Sequence, residues 1–317
     1  MNTHTIVVLD AITVGNASAF DIFKTLGNLT VYNTTTKEER ISHIQNADIV
    51  ITNKVIMSKE ILDACPSIKL ICLTATGMNN VDLPYAEKKG IIVKNVAGYS
   101  TESVAQHTFA LTLSYLHHTQ YYANFVQSGA YSQSGLFTHI GPGYWELQGK
   151  TWGIIGLGAI GRRVAEIAKA FRCTVQYVST SNKNHTNDYP QRTLQELLQS
   201  SDIISIHAPL NENTHNLIGE KEFSYMQSHA LLINVGRGGI INEPALAQAL
   251  RKNQIAGACI DVMGQEPLPA NSPLLADDIA DKILITPHVA WISKEAISSL
   301  LKKVYANVQT YIEEYSN

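Results

Sequence analysis

The sequence predicts an α/β protein of two parallel-sheet domains, and three observations carry that reading. Short aliphatic runs alternate with helical stretches along most of the chain. Those runs are continuously apolar rather than alternating, the mark of strands covered on both faces. The alternation stops once, between about residues 100 and 150, and then begins again.

In the first half, residues 6–9, 29–32, 48–52, 68–73 and 91–95 read as strands. Helical stretches at 19–26, 37–45, 58–64 and 84–89 separate them. Ser58 is placed as an N-cap, proline suits the first turn of the 84–89 segment, and Gly90 closes it. Residues 101–128 then read as one long helix, apolar at Val104, Phe109, Leu113 and Leu116. A loop rich in Gly, Tyr and Ser follows at 129–143. The second half offers strands at 152–155, 174–178, 202–207, 230–235, 255–261 and 283–286, with helices at 159–171, 194–199 and 243–252. The last helix, 294–314, has no strand after it and is expected to return to the first domain. The predicted division is therefore 1–99 plus 289–317 for one domain and 100–288 for the other.

Composition narrows the function classes. Of 317 residues, 45% are hydrophobic and 16% charged, enough apolar material for two cores and no signature of disorder. A net charge of −3 argues against a nucleic-acid or anionic-membrane surface. No apolar run reaches the length of a membrane span, and MNTHTIVVLD has no basic segment before a long apolar core. Cys65, Cys72, Cys173 and Cys259 lack metal or CxxC spacing and read as small buried residues. No His, Cys or acidic set has zinc-ligand spacing, so no metal is expected. These features together predict a cytoplasmic protein.

The most informative short motif is GLGAIG, with Gly156, Gly158 and Gly161. The apolar run TWGII leads into it and the amphipathic RRVAEIAKAF leaves it, the strand–turn–helix setting of a dinucleotide-binding loop. The first glycine permits the tight turn, the second lets backbone approach a pyrophosphate, and the third lets helix and strand pack closely. Amides at Ala159 and Ile160 then face the phosphates at the positive helix end. Because this loop opens the second domain, the cofactor domain is expected to be inserted within a catalytic domain. The ligand cleft is expected between them, at the carboxyl ends of the strands.

Three loops after predicted second-domain strands each carry a reactive side chain. INVGRGG presents Arg237, IDVMGQEP presents Asp261 and Glu266, and ITPHVAW presents His288. Reduction of a 2-keto acid by a nicotinamide needs a proton for the carbonyl oxygen and a cation for the carboxylate. Histidine suits the proton transfer. A carboxylate such as Glu266 can fix the imidazole, and arginine's planar fork grips a carboxylate through two bonds. Singly, each residue has a plain structural alternative; in three successive strand-end loops behind a dinucleotide motif, the functional reading is preferred. His107, His117 and His118 fall on the long helix and read as packing or solvent-facing residues. His207, ending a strand in SIHAPL, reads equally as structural or as lining the cofactor cleft.

With these residues the chain resembles the D-isomer-specific 2-hydroxyacid dehydrogenases. The resemblance spans nearly the whole length: TATGMNNVDL (74–83), NVAGYSTESVAQHTFAL (95–111), GKTWGIIGLGAIGRRVA (149–165), NVGRGGIINEPAL (234–246), DVMGQEP (261–267) and TPHVAW (286–291). It implies a Rossmann-type cofactor domain inserted in a flavodoxin-like catalytic domain, with Arg237 orienting substrate and His288 with Glu266 as acid–base pair. It also implies that Asp261 and the backbone around Val235 and Gly236 contact the nicotinamide carboxamide. Thr76 is then near the nicotinamide or pyrophosphate, and amides around Thr76, Gly77 and Met78 bind the substrate carboxylate. Ala208, Pro209 and Thr214 border the adenosine, and the family implies a homodimer bridged in part by 101–128. LDA, ITNKV, GYSTESVAQHT and PHVAW most resemble hydroxypyruvate reductases, also called glycerate dehydrogenases; Asn53, Lys54 and Trp291 are candidates for that pocket. The expected reaction is reversible reduction of hydroxypyruvate or glyoxylate to the D-hydroxy acid. A D-lactate-type reductase is the alternative within enzymes, and a dinucleotide-sensing corepressor-like protein the alternative outside them.

One place departs from the NAD pattern. About twenty residues past the glycines, where an acid usually holds the ribose 2′-hydroxyl, the chain reads VSTSNKN. Ser179, Thr180 and Ser181 with Lys183 remove a carboxylate that would repel a 2′-phosphate. NAD(P)H is therefore expected, with NADP(H) slightly favoured. The alternative is that the serines bond the ribose hydroxyls of NAD and Lys183 stays solvated.

Overall fold

The computed structural model describes residues 4–181 and 183–315, and divides the chain into two compact units. One comprises Met1–Ser100 with Ile292–Asn317, the other Thr101–Trp291.

The first unit is a five-stranded, wholly parallel sheet: β1 (Thr5–Val8), β2 (Asn28–Val31), β3 (Ile49–Thr52), β4 (Leu70–Leu73) and β5 (Ile92–Lys94). The spatial order β2-β1-β3-β4-β5 is the flavodoxin-like arrangement. Central strands β3 and β4 are buried at every position, as their unbroken IVIT and LICL runs require. Residues from Val7, Val50, Ile71 and Leu73 join Ile44, Met57, Leu62 and Ala86 in one apolar core. The final helix, Lys294–Tyr315, packs on this unit: Tyr305 meets Phe23 edge-on at 5.7 Å, and Asn307 Nδ2 donates to the Asn95 carbonyl.

The second unit holds β6 (Thr151–Ile155), β7 (Thr174–Val178), β8 (Ile203–Ile206), β9 (Leu231–Asn234), β10 (Gly257–Ile260) and β11 (Ile283–Ile285), again all parallel. Their order is β11-β10-β9-β8-β6-β7. β6 thus lies between β7 and β8, and chain direction across the sheet reverses there, the switch point where α/β sheets bind ligands. Gln191 adds a parallel bridge to Tyr177 of edge strand β7. Among the described residues, that bridge stands where the common dinucleotide fold has a further strand.

Two expectations need correction. The predicted 101–128 helix is broken at His118, whose φ of 49° ends Thr101–Leu116 and precedes Thr119–Gln127. The first piece buries Val104, Ala105, Thr108, Phe109, Leu111, Thr112 and Leu116, whereas the second buries nothing in this chain. The packing surface ends at the break, so nothing holds one continuous helix. The 129–143 loop, in turn, contains the short helix Ala130–Ser134. Ser58 does occupy the N-cap position, but its hydroxyl donates to Glu60 instead of capping the backbone. Among the described residues, no helix is long and apolar enough to cross a membrane.

Candidate active site

At the carboxyl edge of the second sheet, β6 runs into Gly156, which has φ +94°, and then into the helix Ala159–Ala170. A Cβ at Gly161 would collide with the Gly156 carbonyl, so helix and strand approach more closely than any other residue allows. A Cβ at Gly158 would meet nothing within 4 Å, leaving open space before the helix N-terminus. The first amides of any helix lack partners inside it, so Ala159 and Ile160 stand ready to donate to an anion.

Two buried polar atoms without hydrogen-bond partners flank this loop. Ser179 Oγ lies just past β7 and His207 Nδ1 just past β8, on either side of β6. A buried unsatisfied polar group costs about 1–3 kcal/mol. The His207 ring is held from behind. Trp152 Nε1 donates to Ser205 Oγ at 2.8 Å, and Ser205 Oγ lies 2.9 Å from His207 Nε2. With the serine's hydrogen directed to Nε2, the ring carries its proton on Nδ1. Burial pushes the His207 pKa down to about 3, so the ring stays neutral. Open space at Gly158 plus two orphaned atoms beside it fit a dinucleotide.

The remaining predicted cofactor residues divide. Ala208 packs on Gly156, its N 2.9 Å from where a Cβ would be, and Gly236 sits equally tightly against the Ala208 carbonyl. Pro209 is exposed. Thr214 is 1% exposed, and its hydroxyl donates to the Pro209 carbonyl at 2.6 Å, so it shapes the loop and offers no surface of its own. Ser181 accepts a bond from the Lys183 amide, and Asn182 between them lies outside the described residues. Arg162, which sequence reasoning passed over, reaches this loop: its guanidinium donates to the His185 carbonyl at 2.9 Å.

Arg237, Glu266 and His288 follow adjacent strands. Strands β9, β10 and β11 are neighbours in that order, so the loops after them emerge side by side, about 5 Å apart per strand. Asn234 staples the first loop: its Nδ2 donates to the Arg237 carbonyl and its Oδ1 accepts from Gly236 N. Gly238 lies so close to the Met263 carbonyl that a Cβ cannot fit, which locks the arginine loop to the Glu266 loop. Arg237 is half-buried; its guanidinium donates to the Gly236 carbonyl at 2.8 Å and pairs with no carboxylate among the described residues. The planar fork of an arginine left in this state can take a carboxylate through two bonds.

Glu266 Oε1 accepts from Met263 N, and Oε2 lies 2.8 Å from His288 Nδ1. Carboxylates accept only, so His288 Nδ1 carries hydrogen and Nε2 is turned to exchange a proton elsewhere. Nε2 has no hydrogen-bond partner among the described residues. His288 adopts φ 57°, a left-handed conformation that costs a side-chain-bearing residue about 1–2 kcal/mol. Asp261, fully buried, offsets that cost. Its Oδ1 accepts from Thr286 Oγ1 at 2.5 Å and Val289 N at 2.9 Å, and Oδ2 accepts from Ala290 N at 2.9 Å. Burial alone raises the carboxyl pKa, but bonds from His107, Thr286, Val289 and Ala290 together hold it below its ordinary value. Asp261 thus has a structural duty that its sequence position did not reveal, beside the carboxamide contact expected of it. Trp291 packs against the apolar core of this unit.

In the first unit, the loops after β1, β3 and β4 also share one sheet edge. Asp10 Oδ1 and Oδ2 accept from Thr52 Oγ1, Asn53 N and Lys54 N. Asn53 is consequently 4% exposed while Lys54 is exposed. Thr76 Oγ1 donates to the Val96 carbonyl, and its own carbonyl accepts from Asn95 Nδ2. Thr76 therefore serves the loop with its side chain; Gly77 and Met78 follow it half-buried. Thr74 Oγ1, at the end of β4, is a third buried polar atom without a partner.

Residues 109–290 match the family model "D-isomer specific 2-hydroxyacid dehydrogenase, NAD binding domain". The chain is 36% identical over 279 residues to a glycerate dehydrogenase of Methylorubrum extorquens, covering 88% of this chain and 87% of that protein. It is 35% identical over 295 residues to a hydroxypyruvate reductase of Blautia hydrogenotrophica, covering 91% and 90%. Among solved structures, an acyclic imino acid reductase in complex with NADPH and D-Arg superposes with a TM-score of 0.84 at 30% identity, covering 98% of this chain and 97% of the other.

Proposed function

The chain belongs to the D-isomer-specific 2-hydroxyacid dehydrogenases, and we propose that within this family it reduces hydroxypyruvate or glyoxylate to the D-2-hydroxy acid. The observation that carries the reading is the Glu266–His288 pair beside an arginine that pairs with no carboxylate among the described residues. The glycerate dehydrogenase and hydroxypyruvate reductase relatives, each alike over most of both chains, support this substrate class.

A bound reduced nicotinamide supplies the hydride. Arg237 grips the substrate carboxylate and draws electron density from the carbonyl. The amides of Thr76, Gly77 and Met78 are assigned to the same carboxylate, with Asn53, Lys54 and Trp291 bordering the substituent. His288 Nε2 gives its proton to the carbonyl oxygen as the alkoxide forms, and Glu266 stabilises the imidazolium and holds the ring. Amides of Ala159 and Ile160 hold the pyrophosphate between Gly156, Gly158 and Gly161. Ala208 and Pro209 border the adenosine, and Val235, Gly236 and Asp261 are assigned to the carboxamide.

For the ribose we assign NADP(H) a slight preference. No acid occupies Ser179–Ser181, Ser179 Oγ lacks a partner, and Arg162 is tethered to the same loop through the His185 carbonyl. We assign a homodimer on the exposure of Leu136 (66%), Phe137 (92%) and Ile140 (90%), too much apolar surface in one segment to leave in water. A reducing cytoplasm suits the four buried free thiols.

The reading is tested by following nicotinamide oxidation with hydroxypyruvate, glyoxylate, pyruvate and branched 2-keto acids, using NADH and NADPH in parallel. Turnover is expected to be fastest with the first two. Preference for pyruvate or branched acids overturns the substrate assignment, and no turnover with any of them overturns the enzyme reading.

A further inference from the structure

The helix Thr101–Leu116 touches the catalytic loop through two side chains that no step above uses. Ser103 Oγ donates to the Ala290 carbonyl at 2.6 Å. One turn further on the same face, His107 Nε2 lies 3.2 Å from Thr286 Oγ1 and 3.5 Å from Asp261 Oδ1. The direction of these bonds follows from the chemistry of their members. Asp261 only accepts, so the Thr286 hydrogen is committed to it across 2.5 Å. Thr286 Oγ1 can then only accept from His107, which places the His107 hydrogen on Nε2. The result is an ordered chain: His107 Nε2–H to Thr286 Oγ1–H to Asp261, whose other lone pairs take the amides of Val289 and Ala290.

That chain brackets His288. Its amide donates to the Asp261 carbonyl at 2.8 Å, the two amides after it donate to the Asp261 carboxylate, and the residue two before it ties that carboxylate to His107. Ala290 is held on both sides, by Asp261 through N–H and by Ser103 through its carbonyl. Inside this bracket stands the one non-glycine residue of the 286–290 segment with positive φ. A left-handed histidine reverts to an ordinary conformation unless its neighbours over-determine it, and reversion would swing the imidazole off Glu266.

We propose that His107, acting through Thr286 and Asp261, is a positioning residue that holds His288 in its left-handed conformation and so keeps Nε2 aligned for proton transfer. The proposal rests on His288 being the acid, as assigned above. Small misplacements of an aligned group cost up to about a hundredfold in rate, so the loss is expected in kcat more than in cofactor binding.

The test compares His107→Ala, His107→Gln, Thr286→Val, Thr286→Ser and His288→Ala in the full-length protein. For each, kcat and KM for hydroxypyruvate, the NADPH dissociation constant by fluorescence titration, and the melting temperature are measured. His107→Ala and Thr286→Val are expected to lower kcat about tenfold or more, with NADPH affinity within about twofold of the parent. His107→Gln, whose amide can donate to Thr286, and Thr286→Ser, which keeps the hydroxyl, are expected to recover most of kcat. Unchanged kcat in both His107→Ala and Thr286→Val overturns the proposal. So does a kcat loss that the Gln and Ser variants fail to recover, or one matched by an equal loss of NADPH binding. If His107→Ala does not fold, the Thr286→Val and Thr286→Ser pair alone decides between these outcomes. Undiminished turnover by His288→Ala marks a different failure, that of the acid assignment itself.

Discussion

The loops that follow β7 and β11 lie on the same edge of one sheet but are built in opposite ways. Residues 286–290 are fixed from several directions by Asp261, Ser103 and His107, and the carboxylate at their centre is fully buried. Among the described residues of 179–185, Lys183 N donates to Ser181 Oγ, Arg162 holds the His185 carbonyl and Gln191 meets the His185 ring, while Ser181 and residues 183–185 are exposed. A proton transfer tolerates little misalignment, so its loop is over-determined. Discrimination between ribose and its 2′-phosphate depends on charge acting over several ångströms, and a looser loop suffices. The first loop is therefore expected to resist substitution and the second to accept it.

The largest break in this contrast is expected at the pinned loop. His288→Ala removes the proton donor and should lower kcat roughly a hundred- to ten-thousandfold, with NADPH affinity preserved. Steady-state rates beside a cofactor titration measure both; a kcat within a few-fold of the parent removes His288 from the chemistry. At the looser loop, Ser179→Asp restores a carboxylate where a 2′-phosphate would lie. The ratio of kcat/KM for NADPH over NADH should fall about tenfold, equivalent to about 1.4 kcal/mol, while kcat with hydroxypyruvate stays near that of the parent. A constant ratio means that selection resides elsewhere.

A smaller effect sharpens the account of the cofactor pocket. His207 ordinarily titrates at 6.5, and burial lowers it to about 3 in the folded protein. Between those values the unfolded chain binds a proton that the folded one refuses, so stability falls as pH drops below 6.5. His207→Asn should flatten that decline, recovering about 2 kcal/mol at pH 5 relative to pH 7. Melting temperatures across pH 4–8 are the readout; parallel curves for parent and variant show that His207 is not the neutral buried group described.

How much of this was legible in the sequence follows from the range of the interactions involved. GLGAIG, the aliphatic strands and the order of Arg237, Glu266 and His288 are local patterns, and topology alone brings successive strand ends together. The break at His118 left no mark in the apolar spacing, because it reflects where packing partners stop. His107 read as an ordinary helical histidine, since its partner Thr286 is 179 residues away. The structural duty of Asp261 was hidden because nothing near it in sequence signals that residues 286–290 would bond both its oxygens. Arg162 sat in plain view next to Gly161, but only the fold brings its guanidinium to the His185 carbonyl.

The most direct test of the central claim is the configuration of the product. Parent protein, NADPH and hydroxypyruvate are incubated to completion, and the glycerate is resolved on a chiral phase. D-glycerate alone is expected, formed in equal amount to the nicotinamide oxidised. L-glycerate, a racemate, or oxidation without glycerate contradicts it.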